Sequence, residues 1–279
     1  MFLSYLHPDA NSLFAVYSDL KKVCTECIDP NVRTQDNMVQ LFFLVKPMLA
    51  AQVPPNEVIQ KMGGDEFVIE TKFDGNRYQV HRSGDKLVLF SRKNRTPTGL
   101  ESIEPFLKQC IAGDDWIIDG ELMAWDEDEK KFGPFKEVRA VMAGNSEHKL
   151  YFIVFDILML NKISLLNEPL KHRSDLLKQV FVPFEGKVEL VSRQIASTLA
   201  EVERAVDNAI ERRYEGIMVR VFEVLISFYF VFPVFARSSL WMRSTCLEFA
   251  AGSKSSLIIC MVLETPSIWL FWEDFMVKV

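Results

Sequence analysis

Residues 70–77 read Glu70-Thr71-Lys72-Phe73-Asp74-Gly75-Asn76-Arg77, and the rest of the fold is predicted outward from this stretch. The apolar run before it predicts a strand from Glu66 to Phe73 that ends in a turn at Asp74-Gly75. Such a turn would hold the Lys72 amine toward a pocket. An amine attacks phosphorus only when neutral, which requires desolvation, nearby cations or a metal-bound triphosphate. The alternative interpretation is a solvated hairpin lysine.

Four further motifs follow in a defined order. They are Ser91-Arg92-Lys93, Asp119-Gly120-Glu121, Phe152-Ile153-Val154-Phe155-Asp156-Ile157-Leu158 and Glu215-Gly216-Ile217-Met218-Val219-Arg220. Taken singly, each carboxylate is an ordinary strand-end charge and the central phenylalanine is equally a core aromatic. Together, in this order and spacing, the series resembles that of covalent nucleotidyltransferases, namely ATP-dependent DNA ligases, RNA ligases and mRNA-capping enzymes.

Longer segments narrow the resemblance. HPDANSLFAVYSDLKKVC, KPMLAA, ETKFDG, VFDILMLN and EGIMVR are similar to eukaryotic DNA ligase IV, the ligase of non-homologous end joining, over about residues 5–221. The resemblance implies an α+β, antiparallel-rich nucleotidyltransferase fold, the ATP-grasp-like adenylation domain of DNA ligases. We expect a helical remnant of the ligase DNA-binding domain at 1–46, an incomplete adenylation domain at 47–221 and a divergent apolar tail at 222–279.

The resemblance also implies roles for individual residues. Lys72 would take AMP from ATP as a phosphoramidate, and the Phe155 ring would stack on the base, a task that needs a flat π face. Arg77 would meet ribose or phosphate through its forked donors. The complete ATP pocket implied in this way is Glu70, Thr71, Lys72, Phe73, Arg77, Glu121, Phe155, Glu215 and Arg220.

Metal and DNA contacts follow from the same resemblance. Glu121 and Glu215 would act at the sugar and at Mg²⁺, a hard cation that prefers carboxylate and phosphate oxygens. Arg92 resembles the family's contact to the 5′-phosphate of the nick. The partner would be nicked or broken double-stranded DNA. The family's coiled-coil scaffold protein is not expected, because the C-terminal BRCT region that binds it is absent.

Three departures from the family pattern stand out. Arg220 replaces the lysine that ends the fourth motif, and Lys93-Asn94 replaces asparagine-glycine after Ser91-Arg92. No fifth motif with two lysines follows Arg220, although those lysines would neutralise the α-phosphate and the leaving group. These departures predict an incomplete ligase.

The sequence therefore predicts an ATP-dependent DNA ligase of the end-joining type, acting in double-strand break repair in the nucleus. One alternative is a catalytically impaired remnant that binds nucleotide or DNA. Another is an mRNA-capping or RNA-ligase nucleotidyltransferase.

Composition sets outer limits on these hypotheses. The 279 residues carry 32 Lys and Arg against 38 Asp and Glu, a net charge of −6, which argues against coating nucleic acid through bulk charge. Five cysteines favour a reducing compartment over a disulfide scaffold. The N-terminus shows no signal peptide.

Neither a P-loop nor a GxGxxG fingerprint is present, so nucleotide binding of the Walker type or the Rossmann type receives no support.

Periodicity predicts the elements around these motifs. Spacings of three and four predict a helix over 9–28, with Leu13, Tyr17, Leu20, Cys24 and Cys27 on its buried stripe. This interpretation of Cys24 and Cys27 is preferred to a zinc site, since no second pair or nearby histidine accompanies them.

Strands are expected at 77–82 and 86–92, joined as a hairpin, and at 116–125, 149–160 and 215–222. A helix is expected at 199–213, with Leu199, Val202, Val206 and Ala209/Ile210 on one face.

Two segments invite other interpretations. Residues 63–67 spell Gly-Gly-Asp-Glu-Phe, the signature of bacterial diguanylate cyclases, but they begin the strand that carries Lys72, so we treat the match as coincidence. The tail is apolar without a clean period. Its apolar runs are short or broken by Pro233, Glu264 and Pro266, which favours non-native sequence, such as a translated intron, over a membrane span. A tail that prevents folding is a further alternative.

Overall fold

The computed structural model describes residues 2–29, 39–48, 50–212, 214–222 and 258–262. The helices within these ranges are α1 Phe2–Leu6, α2 Ala10–Tyr17, α3 Leu20–Glu26, α4 Pro55–Lys61, α5 Glu104–Gln109, α6 Phe135–Met142, α7 Leu170–Val180 and α8 Leu199–Glu211. The strands are β1 Ala51–Gln52, β2 Phe67–Lys72, β3 Asn76–Ser83, β4 Lys86–Ser91, β5 Asp115–Asp126, β6 Lys131–Phe132, β7 Lys149–Leu160, β8 Ile163–Ser164, β9 Val188–Leu190, β10 Arg193–Ala196, β11 Gly216–Val221 and β12 Ile258–Val262.

The strands form two sheets. The larger has the order β4-β3-β5-β7-β8, with β6 beside β5 and β9 beside β7. The smaller has the order β1-β12-β11-β2-β10. Neighbours are antiparallel except for the parallel pairs β7–β9 and β11–β12. The predicted α+β, antiparallel-rich class is confirmed.

The larger sheet carries the main core. Its two 12-residue strands, β5 and β7, are buried along most of their length and largely apolar, apart from Asp119 and Glu121 in β5, Asp156 in β7 and charges at the strand ends. Trp116 and Phe152 are fully buried in this core. Leu107, Val138 and Leu177, from α5, α6 and α7, pack against the same cluster. Because helices cover this sheet, its central strands read as continuous apolar runs rather than as alternating ones.

The smaller sheet has its own core beneath α4 and α8. Val202, Ala205 and Ala209 form the buried stripe of α8, while Leu199 is 36% exposed and Ile210 is 48% exposed. Of the residues predicted to share one face of this helix, Val202 and Ala209 are buried, whereas Leu199 and Ile210 are partly exposed. They lie at the two ends of the helix, where its apolar stripe extends beyond the residues that pack on the sheet.

The N-terminal helix predicted over 9–28 is two helices, α2 and α3. Ser18 adopts a left-handed φ of 44°, and the Asp19 carboxylate accepts a hydrogen bond from the Lys22 backbone N–H at 3.0 Å. An aspartate in this position is a typical helix N-cap and starts a new helix. The break changes which residues are buried: Cys27 lies inside, but Leu20 and Cys24 are exposed, contrary to the prediction.

Buried polar side chains of β3 hold the segment at 39–48. His81 Nδ1 accepts the Phe42 N–H at 3.0 Å, and the Gln79 Oε1 atom accepts the Val45 N–H at 2.8 Å. His81 Nε2 lies 2.8 Å from the same Gln79 oxygen, so the neutral imidazole donates there. Burial lowers the pKa of His81 to about 3. These contacts fix the segment at 39–48, which precedes β1 of the smaller sheet.

The remaining element predictions hold to within a residue or two. The hairpin at 77–92, the strands at 116–125 and 149–160, and the final strand near 216–221 are all present. Of the tail, the structure describes Ile258–Val262, a strand between β11 and β1. The other tail residues after Phe222, and all of residues 30–37, lie outside the described residues. Among the described helices, none is both long and apolar enough to cross a membrane.

Candidate active site

The motif at 70–77 crosses from one sheet to the other. Lys72 ends β2 of the smaller sheet and Asn76 begins β3 of the larger one. A Cβ at Gly75 would lie 2.6 Å from the Leu122 carbonyl oxygen and 2.4 Å from the Met123 sulfur. Glycine is needed here because the crossing chain passes directly against β5.

A cleft of about 1770 Å³ opens at this crossing. All ten residues predicted for ATP and DNA contact line it: Glu70, Thr71, Lys72, Phe73, Arg77, Arg92, Glu121, Phe155, Glu215 and Arg220. The lining contains nine Lys and Arg and seven Asp and Glu residues, so the cleft is locally basic in a chain of net charge −6. The placement brings the predicted residues together, and their roles stay predictions.

Lys72 contacts a carboxylate of the neighbouring strand. The register pairs Lys72 with Gly216, so Glu215 at the start of β11 lies beside the lysine. The Lys72 Nζ atom forms an ion pair with Glu215 Oε2, and the two side chains are 21% and 30% exposed. The amine therefore reaches the cleft with an acceptor for its proton already in contact.

A β-bulge between β5 and β7 sets the orientation of the Phe155 side chain. The pairing of β5 with β7 passes from Gly120–Val154 to Asp119–Asp156 and skips Phe155. Bulges re-aim a side chain in this way. The Arg77 guanidinium carbon lies 5.1 Å from the Phe155 ring centre, and Arg77 Nη2 donates to Asp119 Oδ2 at 2.8 Å.

Glu121 lies in the middle of β5, opposite Arg77 across the β3–β5 pairing. Burial raises the pKa of Glu121 to about 7. The positive charges of Arg92, Arg77 and Lys72 oppose this rise, and Asp119 adds to it. Glu121 is thus a carboxyl group whose ionisation depends on what enters the cleft.

A charge cluster, which we define as Glu70, Asp156, Arg173, Arg193 and Arg220, lies at the base of the cleft; Arg193 stands behind the four members that line it. Arg173 donates to Asp156 through Nε at 2.8 Å and Nη2 at 3.0 Å. Arg220 Nη2 donates to the same Asp156 Oδ2 atom at 2.7 Å, and Arg220 Nη1 lies 3.6 Å from Glu70 Oε1. Arg193 Nε donates to Glu70 Oε1 at 2.6 Å.

Pairing keeps Asp156 of this cluster ionised. Burial would raise the pKa of Asp156, but the guanidiniums of Arg173 and Arg220 hold it below its usual range. Breaking one such buried pair leaves an uncompensated charge and is strongly destabilising. Arg220, which stands where the family has lysine, uses its planar fork to bridge two carboxylates, which a lysine cannot do in the same way.

The loop after β4 accommodates the second departure from the family pattern. Asn94 stands at the glycine position and has a left-handed φ of 54°. Asparagine tolerates this conformation better than other side-chain-bearing residues. Ser91 holds the loop, since its carbonyl accepts the Asn94 N–H and its hydroxyl accepts the Arg95 N–H. Arg92 is exposed on this loop at the edge of the cleft.

Phe73, the residue after the predicted nucleophile, packs among aromatic rings. Its ring centre lies 5.6 Å from that of Tyr214 and 5.7 Å from that of Phe132, both in edge-to-face geometry. Tyr214 precedes β11 in the smaller sheet and Phe132 belongs to the larger one. Phe73 therefore joins the two sheets beside Lys72.

Two members of the charge cluster were missed by sequence reasoning. Arg173 carried a signal, because it lies three residues after Leu170 on the apolar stripe of α7, where a charge indicates a buried ion pair. Arg193 carried no such signal in the sequence, because its partner Glu70 is far away along the chain. Among the described residues, no group of three or more His, Cys, Asp or Glu gathers at metal-binding distance.

Residues 47–228 match the family model described as ATP dependent DNA ligase domain. The chain belongs to this family, as the motif series predicted. It is similar to DNA ligase 4 of Gallus gallus, with 38% identity over 229 residues, and to DNA ligase 4 of Homo sapiens, with 36% identity over 230 residues. Each alignment covers 78% of this chain and 25% of the relative, so the chain spans about a quarter of these proteins. The predicted resemblance to eukaryotic DNA ligase IV is confirmed.

Two solved structures are also similar. Chlorella virus DNA ligase-adenylate gives a TM-score of 0.47 at 14% identity, covering 64% of this chain and 61% of that one. Mycobacterial DNA ligase D complexed with ATP and MES gives 0.44 at 16% identity, covering 70% and 54%.

Proposed function

We propose that this chain is the nucleotidyl-transferring part of an ATP-dependent DNA ligase of the end-joining type. The observation that supports it is the meeting of Lys72, Glu215, Glu121 and Phe155 in one cleft of a chain that belongs to the ligase family. DNA with broken or nicked strands is the proposed substrate and the nucleus the proposed location.

In the first step, Lys72 Nζ attacks the α-phosphorus of ATP. A P–N bond forms, the bond from that phosphorus to the β-phosphate bridging oxygen breaks, and pyrophosphate leaves. The ammonium must give up one proton before it attacks, and the Glu215 carboxylate that it contacts is the proposed acceptor. AMP would then pass to a DNA 5′-phosphate and be displaced by a 3′-hydroxyl.

The donor set fits Mg²⁺ carried by the nucleotide. Glu121 and Glu215 offer the hard oxygen ligands that Mg²⁺ prefers, and this ion is commonly held by one or two carboxylates together with substrate phosphates. The cation would supply charge neutralisation at the phosphates. Phe155 and the Glu70–Thr71 strand would orient the base, while Arg77 would meet the sugar or a phosphate.

Labelling with α-labelled ATP and Mg²⁺ tests the proposal. We expect an acid-labile label on the wild-type chain and none on Lys72→Ala. Lys61→Ala is the matched control, because Lys61 is 44% exposed on α4, where it forms an ion pair with its helix neighbour Glu57 at 3.0 Å. Chasing the labelled chain with nicked duplex DNA should move the label to the DNA 5′ end.

Other outcomes point to other functions. ATP binding without an adduct would favour the nucleotide-binding remnant. Labelling by GTP in preference to ATP would indicate a capping guanylyltransferase. Equal labelling of wild type and Lys72→Ala would overturn the assignment of the nucleophile.

A further inference from the structure

Arg193 lies behind the cleft and ties together the parts of the chain that form its base-binding end. The residue is on β10, directly opposite Glu70 of β2 in the strand register. Its side chain is 11% exposed, and it is not among the residues that line the cleft. It therefore touches the site only through other residues.

Each nitrogen of the Arg193 guanidinium has a different partner. Nε donates to Glu70 Oε1 at 2.6 Å, Nη1 donates to Ser174 Oγ at 2.7 Å, and Nη2 donates to the carbonyl oxygen of Phe155. These partners belong to β2, α7 and β7. A planar fork with fixed donor directions holds three groups in a defined geometry, which a flexible ammonium does less well.

Two of the three partners are residues proposed to contact the nucleobase. Phe155 sits at a bulge, and the carbonyl that Arg193 holds belongs to this same residue. Glu70 is 5% exposed and lines the cleft two residues before Lys72. One guanidinium thus fixes both the ring that would stack on the base and the carboxylate beside it.

We infer that Arg193 is a positioning residue that sets nucleobase affinity and selectivity by holding Glu70 and Phe155. This inference rests on the proposed function, because it takes ATP as the ligand of the cleft. It assigns Arg193 no contact with the nucleotide and no part in the transfer of the proton from Lys72.

The test compares Arg193→Gln with the wild-type chain in ATP binding and in covalent labelling. Loss of a charged hydrogen bond at the base-binding end should raise the KM for ATP, and the Kd measured without Mg²⁺, about tenfold or more. The labelling rate at saturating ATP should change far less, because Lys72 and Glu215 are untouched. Discrimination against GTP should fall, and Arg193→Lys should restore part of the affinity.

Two controls separate positioning from a general structural effect. Arg204→Gln is the matched substitution, since Arg204 is exposed on α8 and its Nε donates to the Ala200 carbonyl of its own helix. It should leave KM and selectivity unchanged. In a cycle with Glu70→Gln, the two effects on KM should not multiply, because Arg193 acts through Glu70.

The outcomes distinguish this inference from the proposed function. An Arg193→Gln variant with unchanged ATP affinity and selectivity, or with KM and saturating rate impaired in parallel with the melting temperature, would overturn the positioning role alone. A wild-type chain that binds ATP but forms no adduct would overturn the proposed function, and the Kd values would still test Arg193. A wild-type chain that binds no ATP would overturn both.

Discussion

At the scale of single residues, neighbouring groups determine the pKa, the ion pairs and the permitted size of the side chains in the cleft. Burial raises the pKa of Glu121 to about 7, while its positive neighbours oppose the rise. Arg220 replaces a family lysine and bridges Asp156 and Glu70. Gly75 is required by the backbone of β5 that passes against it. The pKa of Glu121 and the residue types at positions 220 and 75 are thus explained by neighbours that are distant in sequence.

His81 provides a pH-dependent test at this scale. Its pKa is about 3 in the folded chain because burial disfavours the imidazolium, against an ordinary value of 6.5. The unfolded chain binds the extra proton first, so stability is complete above about pH 6.5 and falls as the pH drops toward 3. Between pH 7 and pH 5 the loss due to this group should be about 2 kcal/mol.

Denaturant unfolding at the two pH values measures this loss. His81→Asn, whose side-chain oxygen can still accept the Phe42 N–H, should lose about 2 kcal/mol less than the wild type on acidification. His172→Gln is the control, because His172 is an exposed histidine on α7. An identical pH dependence for the wild type and His81→Asn would contradict the prediction.

At the scale of elements, aromatic packing joins the two sheets beside the predicted nucleophile. Phe73 contacts Tyr214 on the smaller sheet side and Phe132 on the larger, and Phe132 packs on Trp125 and Tyr151. These rings lie next to the Lys72–Glu215 ion pair. The relative position of β2 and β11 at the cleft therefore depends on them.

A double-mutant cycle of Phe73→Leu and Tyr214→Leu tests this contact. Edge-to-face pairs contribute about 0.5–1.5 kcal/mol beyond area burial, so we expect a coupling energy in that range in unfolding experiments. Adduct formation with ATP should fall in both variants. Phe106→Leu, which breaks the edge-to-face pair of Phe106 with Phe184 at 5.4 Å in the larger core, should lower stability without changing labelling at a permissive temperature. A coupling energy near zero would contradict the proposed packing.

At the scale of the whole molecule, the smaller sheet is completed by a strand from the tail. Cys260 of β12 is paired with Met218 of β11 on one side and with Gln52 of β1 on the other. The strand therefore links the region before the nucleophile to the strand that follows Glu215.

Cys260→Pro tests the contribution of β12. Proline lacks the N–H of the ladder and is poorly tolerated between two neighbouring strands, so stability should fall by at least about 1 kcal/mol. Labelling by ATP should weaken because β11 loses its neighbour. Cys260→Ala is the matched control, since it keeps the backbone N–H. Equal melting temperatures for the two variants would argue against a paired strand here.

Much of this architecture was predictable from local patterns. The hairpin at 77–92 and the long strands that carry Glu121 and Phe155 follow from apolar runs and turn residues, and the structure confirms them. The break at Ser18 was not predicted, because the apolar spacing continues across it. The apolar face of α8 was predicted, but the exposure of Leu199 and Ile210 was not, since periodicity does not show where the sheet beneath a helix ends.

The sequence by itself determined the kinds of chemistry present, the order of the strands along the chain and membership in the ligase family, because these depend on residue type and local spacing. Only the tertiary structure decided that 70–77 crosses between two sheets, that a bulge aims Phe155 and that Arg193 holds Glu70. The reason is physical: register, bulges and ion pairs between distant residues are set by how apolar faces pack, and no local period records that packing.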